Sequence, residues 1–272
     1  MRGALPPRRL VSTAAGVVEC IVSGQGRPVW VLFAGAGISL EGWRGLYPDI
    51  EQLGTVLAWN RLGLGRSTRP RVPQSSNAVV ATLREVLARC ELVPPYVLVG
   101  HSLGGLHAML FARRHPSEVA GVLLLEASHP ADRDHGRGQE SRLATALDRL
   151  FPLPKAWFRA NLHAELQAQE QSARELEAAG AFPPVPLIVM SGALPPPPWL
   201  ADAQAVQRRR EHQRLLAQLS PQGEQIVALE SGHFPQRSEP ALVLGAMRTL
   251  AVRLGADEQP PPAGLRQALN PL

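Results

Sequence analysis

The sequence predicts an α/β protein with a mostly parallel, doubly wound sheet of about seven to eight strands, helices on both faces and a small helical lid. Short runs rich in Val, Leu and Ile alternate along the chain with longer segments of helical periodicity, which is typical of parallel strands joined by crossover helices. Hydrophobic residues make up 45% of the 272-residue chain, enough for a large buried core. A third observation is a serine set between glycines where an apolar run passes into a helical pattern, YVLVGHSLGGLHAMLFARRHP.

The apolar runs are the predicted strands. They are VVECIVSG (17–24), PVWVLFAG (28–35), GTVLAWN (54–60), PYVLVG (95–100), VAGVLLLEA (119–127), VPLIVMSG (185–192) and EQIVALESG (224–232). We expect the first two runs to form an opening hairpin, because Gly24 and Gly26 supply the backbone freedom that a tight turn needs.

Helices are predicted from apolar periodicity over residues 77–92, 103–114, 203–219 and 240–254. Residues 130–183 carry helical patterns and no strand, which predicts an inserted helical lid. The predicted core therefore comprises residues 1–129 and 184–254. The proline-rich residues 255–272 are predicted to form a flexible tail.

The formal net charge of +5 raises the question of nucleic-acid binding. The basic residues are scattered arginines, however, with Lys155 the only lysine and one cluster at residues 208–210 inside a predicted helix. A solvated helix face explains such a cluster, so no nucleic-acid partner is expected.

Cys20 and Cys90 lie far apart without a C-x-x-C motif, so neither a disulfide scaffold nor a zinc site is expected. The start of the chain lacks the continuous apolar core of a secretory signal, and no window is long enough to span a bilayer. We therefore expect a cytoplasmic protein without a membrane span. The sequence leaves its oligomeric state open.

Ser102 occupies the junction between the predicted strand 95–100 and the helix that follows. Gly100 and Gly104 flank it at positions where a β-carbon would collide as strand and helix approach each other, and Gly105 relieves the contact further. The free amides at the start of the helix favour a developing negative charge nearby. A G-x-S-x-G string in this context is what a nucleophilic serine requires.

The string GHSLGG, preceded by its strand, resembles a mark of the α/β-hydrolase fold family, and the resemblance extends over nearly all of residues 10–254. The loop NRLGLGRS (60–67) is similar to the family's D-R-x-G-x-G-x-S loop, with Asn60 where aspartate is common. The resemblance implies Ser102 as the nucleophile, a small-molecule substrate and no cofactor.

A serine hydroxyl needs a base beside it and a group that orients the base. His233 is the predicted base, because it follows the last predicted strand and precedes a helix. His101, next to the serine, and His107, on the following helix, are predicted to be structural or pocket-lining. The other histidines show no metal-ligand spacing, so no metal is expected.

Two carboxylates compete for the role of orienting acid. Many family members carry an aspartate after the next-to-last strand, but the loop SGALPPPPWLADAQ offers only Asp202, which can also be the N-cap of the next helix. Glu126 ends a very apolar strand, where a carboxylate must be paired or hydrogen-bonded, and some relatives, haloalkane dehalogenases among them, are similar in placing a glutamate there. We predict Glu126 as the acid, with Asp202 as the alternative and Glu230 as a third candidate.

Acyl transfer also needs two amide donors for the tetrahedral oxygen. The amide of Leu103, next after the nucleophile, is predicted to be one. The second is predicted to be the amide of Ala36 in the loop FAGAGISLEGW, where the family typically shows a His-Gly pair and this chain has Ala34. The missing histidine removes a hydrogen bond that would stiffen this loop.

Together these residues predict a serine hydrolase that cleaves a small, fairly apolar carboxylic ester through an acyl-enzyme. Amide, lactone or C–C bond hydrolysis and cofactor-free perhydrolysis use the same trio and remain alternatives, as does a non-catalytic ligand-binding receptor on the same scaffold. Large apolar side chains near the predicted site are candidates for lining the substrate pocket. They are Trp43, Leu103, Phe151, Trp157, Phe158 and Trp199.

Overall fold

The computed structural model describes residues 5–132, 155–199 and 201–255, with the backbone alone for residues 155–160. Its centre is one eight-stranded sheet, which confirms the predicted number of strands. The strands are β1 (Arg9–Thr13), β2 (Gly16–Ser23), β3 (Val29–Phe33), β4 (Thr55–Trp59), β5 (Tyr96–His101), β6 (Val119–Leu125), β7 (Leu187–Gly192) and β8 (Gly223–Ala228).

Across the sheet the strands follow the order β1-β2-β4-β3-β5-β6-β7-β8. From β4 to β8 all neighbours pair in parallel, whereas β2 runs antiparallel to both β1 and β4. The sheet is therefore mostly parallel, as predicted. Its parallel strands bring their carboxyl ends to one edge, which is where sites form in open α/β sheets.

The predicted hairpin between residues 17–24 and 28–35 is wrong. β2 pairs instead with β1, a strand absent from the prediction, and with β4, while β3 lies beyond β4. Gly24 and Gly26 do have positive φ angles of 73° and 78°, but they carry the chain past the start of β4, where the Thr55 hydroxyl donates to the Gly26 carbonyl. β1 is short and mostly exposed, so its sequence lacks the apolar run that marks the other strands.

Helices within the described residues cover both faces of the sheet. They are α1 (Tyr47–Ile50), α2 (Ser76–Arg89), α3 (Leu103–Arg114), α4 (Lys155–Gln167), α5 (Gln169–Glu177), α6 (Ala203–Ala217), α7 (Pro235–Ser238) and α8 (Pro240–Arg253). The predicted helices are confirmed as α2, α3, α6 and α8. In this described part of the chain, none of the helices is long and apolar enough to cross a membrane.

Alternate residues of β3 point into two separate cores. Val31 and Phe33 pack with residues of α2 and α3, whereas Trp30 and Leu32 pack with residues of α1 and α8. All four side chains are at most 1% exposed. Successive strand residues point to opposite faces, and burial on both faces explains why these strands are continuous apolar runs in the sequence.

Helices α4 and α5 lie between β6 and β7 in the chain, and α5 rests on the start of α2. The amide of Ser76 in α2 donates to the Ser172 hydroxyl of α5 at 2.9 Å. Both helices fall within the predicted lid of residues 130–183, of which residues 133–154 lie outside the described part. The lid remains a prediction, as does the tail of residues 255–272, which lies outside the described residues apart from its first residue.

Leu98 in β5 offers a test of where the core is centred. Its side chain is fully buried in the core that includes residues of α2 and α3, so we expect Leu98→Ala to leave a cavity and to lower the free energy of unfolding by about 2–5 kcal/mol. Leu229→Ala removes the same atoms from a side chain that is 71% exposed, and it should change stability by less than about 0.5 kcal/mol. Urea denaturation measures both variants; equal losses would contradict the placement of β5 at the centre of the sheet.

Candidate active site

Ser102 lies on a sharp turn between β5 and α3, at the edge where the parallel strands end. Its φ of 51° and ψ of −123° form a conformation that non-glycine residues adopt only at a cost. A β-carbon on Gly104 would lie 2.4 Å from the Phe33 carbonyl oxygen, and one on Gly105 would lie 2.4 Å from the Ala127 β-carbon. The glycines therefore permit the close approach of helix and sheet on which this turn depends.

His233 lies in the loop between β8 and α7 and faces the serine. Its Nε2 is 3.1 Å from Ser102 Oγ, which is hydrogen-bonding distance. His101 Nε2 donates to the His233 carbonyl oxygen at 2.8 Å. Burial, together with the neighbouring His233, lowers the pKa of His101 to about 3, so His101 is neutral at pH 7 and holds the backbone of His233.

Glu126 follows the last residue of β6 and turns its carboxylate toward His233. Its Oε2 lies 3.3 Å from His233 Nδ1 and accepts from Arg209 Nε at 2.8 Å, while its Oε1 accepts from the Gly192 amide at 2.8 Å. Burial alone would raise the pKa of Glu126, but Arg209, His233 and the Gly192 amide lower it to about 2. The group is therefore a carboxylate at neutral pH.

The two other candidate acids lie elsewhere. Asp202 Oδ1 accepts from the Ala205 amide at 2.7 Å and so caps the start of α6. Glu230 is exposed. Of the three predicted candidates, Glu126 is the one that the structure brings to His233.

The imidazole of His233 sits between groups of opposite charge. Burial lowers the pKa of His233, the Arg209 guanidinium lowers it further, and Glu126 acts in the opposite direction, with a net result below the ordinary value for histidine. A histidine that is neutral at pH 7 is able to accept a proton from the serine hydroxyl.

The segments that carry the two predicted oxyanion donors border each other. A β-carbon on Gly104 would lie 2.6 Å from the Ala34 carbonyl oxygen, so the loop after β3 runs against the start of α3. Ala36 lies in this loop, and Leu103 is the first residue of α3. Neither amide has an acceptor among the described residues, which leaves both able to donate to a ligand.

A sequence model of the α/β-hydrolase fold family matches residues 28–258. The chain belongs to this family. The match supports the prediction that the protein is a hydrolase. Among solved structures, an esterase from Thermogutta terrifontis has a TM-score of 0.65 at 20% identity, covering 92% of this chain and 99% of that one. The carboxylesterase CesB from Bacillus subtilis has a TM-score of 0.66 at 19% identity, covering 92% of each chain. At such identities these similarities show the fold.

Curated relatives of this α/β-hydrolase fold protein match over shorter stretches. An uncharacterized protein of Schizosaccharomyces pombe is 42% identical over 82 residues, which are 30% of this chain and 15% of that protein. An uncharacterized Bacillus subtilis protein, YqjL, is matched over 38% of its length. The chain therefore spans well under half the length of these relatives.

A buried ion pair holds the loop in which Ala34 replaces the family's usual histidine. Arg61, just after β4, donates from Nη1 to the Ala34 carbonyl at 2.7 Å and from Nη2 to the Gly35 carbonyl at 2.8 Å. Its Nε donates to Glu165 Oε1 in α4 at 2.6 Å, and Glu165 Oε2 accepts from the Gly37 amide at 2.6 Å. Because both neighbours of Ala36 are held in this way, the loop is fixed despite the missing histidine.

Neither Arg61 nor Glu165 is among the site residues predicted from the sequence. Arg61 stands inside the quoted motif NRLGLGRS, and its position in that motif was the only available signal. Glu165 is 104 residues further along the chain, in a segment without a motif. Their side chains are 3% and 4% exposed, which is unusual for charged groups and is explained by their pairing and by their hydrogen bonds to the loop.

The predicted pocket residues lie in different parts of the fold and differ in exposure. Trp43 is 2% exposed and belongs to the core that includes α1 and α8. Trp199 is 45% exposed in the loop between β7 and α6. Trp157 and Phe158 belong to α4, and Phe151 lies outside the described residues. Pocket lining by these residues remains a prediction.

Within residues 5–132, 155–199 and 201–255, no group of three or more His, Cys, Asp or Glu side chains is arranged to hold a metal ion. His129 and His212 stack with ring centroids 4.4 Å apart, and His212 bonds through Nδ1 to Asp132. This contact joins the loop after β6 to α6.

Glu165→Gln tests the buried pair. The substitution leaves the Arg61 charge buried without its partner, so we expect the free energy of unfolding to fall by about 3–5 kcal/mol. The matched control, Glu170→Gln, breaks an ion pair with Arg174 whose side chains are 63% and 59% exposed, and it should cost at most about 1 kcal/mol. Urea unfolding compares the two variants; similar losses would show that the pair does not anchor the loop.

Proposed function

We propose that this protein is a serine hydrolase that cleaves a small, fairly apolar carboxylic ester through an acyl-enzyme. One observation carries the proposal: Ser102 Oγ lies 3.1 Å from His233 Nε2, while His233 Nδ1 lies 3.3 Å from the Glu126 carboxylate. A hydroxyl, an imidazole and a carboxylate in this sequence of contacts are the parts of a nucleophile–base–acid triad.

In the proposed reaction, Ser102 Oγ attacks the ester carbonyl carbon and His233 Nε2 takes the hydroxyl proton. The amides of Ala36 and Leu103 donate to the oxygen that becomes negative. His233 then returns the proton to the leaving alcohol, and the acyl group stays on the serine. Water, activated by the same imidazole, releases the carboxylic acid. Throughout, the Glu126 carboxylate orients the ring and stabilises its protonated form.

The fold neighbours support an ester as the substrate class. Structures of the same fold include an esterase, a carboxylesterase and an enol-lactonase. All three act on a carbonyl carbon bonded to oxygen. We further propose that residues 130–183 form a lid over the site, that Trp199 contributes to the substrate pocket, and that the protein acts in the cytoplasm.

Active-serine labelling tests the nucleophile. A fluorophosphonate should label the unchanged protein and Ser12→Ala, at an exposed serine of β1, but should not label Ser102→Ala. With p-nitrophenyl esters of increasing acyl length, Ser102→Ala should lose at least about a thousandfold in kcat. Absence of both label and turnover in the unchanged protein would instead favour a ligand-binding receptor.

A second test decides between Glu126 and Asp202 as the orienting acid. Glu126→Gln leaves the shape of the site but removes the charge that orients His233, so we expect kcat to fall by about a thousandfold or more. Asp202→Asn keeps a good N-cap residue, and its kcat should stay within about twofold of the unchanged protein. Circular dichroism confirms that both variants fold. A large loss in Asp202→Asn alone would assign the acid to Asp202.

A further inference from the structure

Three consecutive arginines, Arg208, Arg209 and Arg210, lie on α6, and only the middle one turns toward the candidate site. Arg208 is exposed, and Arg210 donates to the Ala193 carbonyl at the surface. The side chain of Arg209 is 31% exposed and reaches Glu126. The sequence predicts a solvated helix face for this cluster. Arg209 is the exception, because its side chain contacts Glu126.

Arg209 makes three contacts within the predicted triad. Its Nε donates to Glu126 Oε2 at 2.8 Å, and its Nη2 donates to the Glu126 backbone carbonyl at 2.9 Å. The same Nη2 lies 3.2 Å from His233 Nδ1. The arginine thus holds both the side chain and the backbone of the acid, and its guanidinium touches the base.

Glu126 Oε2 is shared between Arg209 and His233, and the arginine has the shorter contact. A carboxylate favours the protonated form of a nearby imidazole, whereas a guanidinium disfavours it. Because Arg209 remains charged at all relevant pH values, it offsets part of the effect that Glu126 has on His233.

The other groups around His233 carry no permanent charge. Ser102 approaches from the turn after β5, the neutral ring of His101 lies 5.0 Å away between centroids, and the Phe234 ring lies 5.1 Å away. Asp132, in the loop after β6, acts on Arg209. Among the described residues that contact the imidazole, Arg209 is thus the permanent cation and Glu126 the anion.

We propose that Arg209 is a positioning residue of the site: it fixes the Glu126 carboxylate and restrains the proton affinity of His233, so that the imidazole stays neutral in mildly acidic solution. The inference rests on the proposed hydrolase function. The predicted triad residues all follow strands of the sheet. Arg209 instead belongs to α6, and it brings a positive charge to them from that helix.

The pH dependence of kcat/KM tests this role. Arg209→Gln removes the cation, so the pKa of His233 should rise. The acidic limb of the profile should therefore shift to higher pH by about one unit. Arg209→Lys keeps the positive charge but lacks the planar set of donors. Its acidic limb should lie close to that of the unchanged protein. Arg208→Gln makes the same charge change at the exposed neighbour and should leave the limb where it is. A uniform loss of rate at all pH values, with no movement of the limb, would overturn the inference.

An NMR titration of the His233 ring keeps the inference testable without turnover. The His233 resonance, assigned by its disappearance in His233→Asn, should titrate at higher pH in Arg209→Gln than in Arg208→Gln. An unchanged midpoint would overturn the inference. A raised midpoint in a protein that hydrolyses no ester would refute the proposed function while confirming the electrostatic effect of Arg209.

Discussion

The buried carboxylate of Glu126 is the contact through which the candidate site is assembled. Glu126 directly follows β6, and its carboxylate accepts from the Gly192 amide at the end of β7, accepts from Arg209 on α6, and faces His233 in the loop after β8. A buried charge without such partners is costly. The Glu126 carboxylate therefore has all of its partners only when β7, α6 and the loop after β8 are in their native positions.

A second buried carboxylate organises the loop after β3. Glu165 joins α4 to the loop that carries Ala36, through Arg61 and the Gly37 amide. Buried ion pairs contribute little net stability compared with apolar packing. Their value here is geometric, since a guanidinium and a carboxylate fix two carbonyls and one amide around Ala36. The two buried carboxylates, Glu126 and Glu165, are thus each held by an arginine that does not belong to the predicted triad.

Much of the site was predictable because its members stand at the ends of recognisable strands. Ser102 follows β5, Glu126 follows β6 and His233 follows β8, and parallel strands deliver such residues to one edge. The glycines around Ser102 act within a few residues of it, so their role is visible in the sequence. The hairpin prediction failed for the opposite reason. Gly24 and Gly26 turn the chain as expected, but β2 pairs with β4, which follows β3 in the chain, and with β1, whose mostly exposed residues form no apolar run.

The sequence alone therefore determined the alternation of strands and helices, the turn at Ser102 and a short set of candidate partners, because periodicity and local sterics act over a few residues. Only the tertiary structure decided which carboxylate faces His233, which strand pairs with β2, and that Arg61, Glu165 and Arg209 surround the site. His233 lies 131 residues from Ser102 and 107 from Glu126. Contacts over such separations follow from the order of strands in the sheet, and no short stretch of sequence encodes that order.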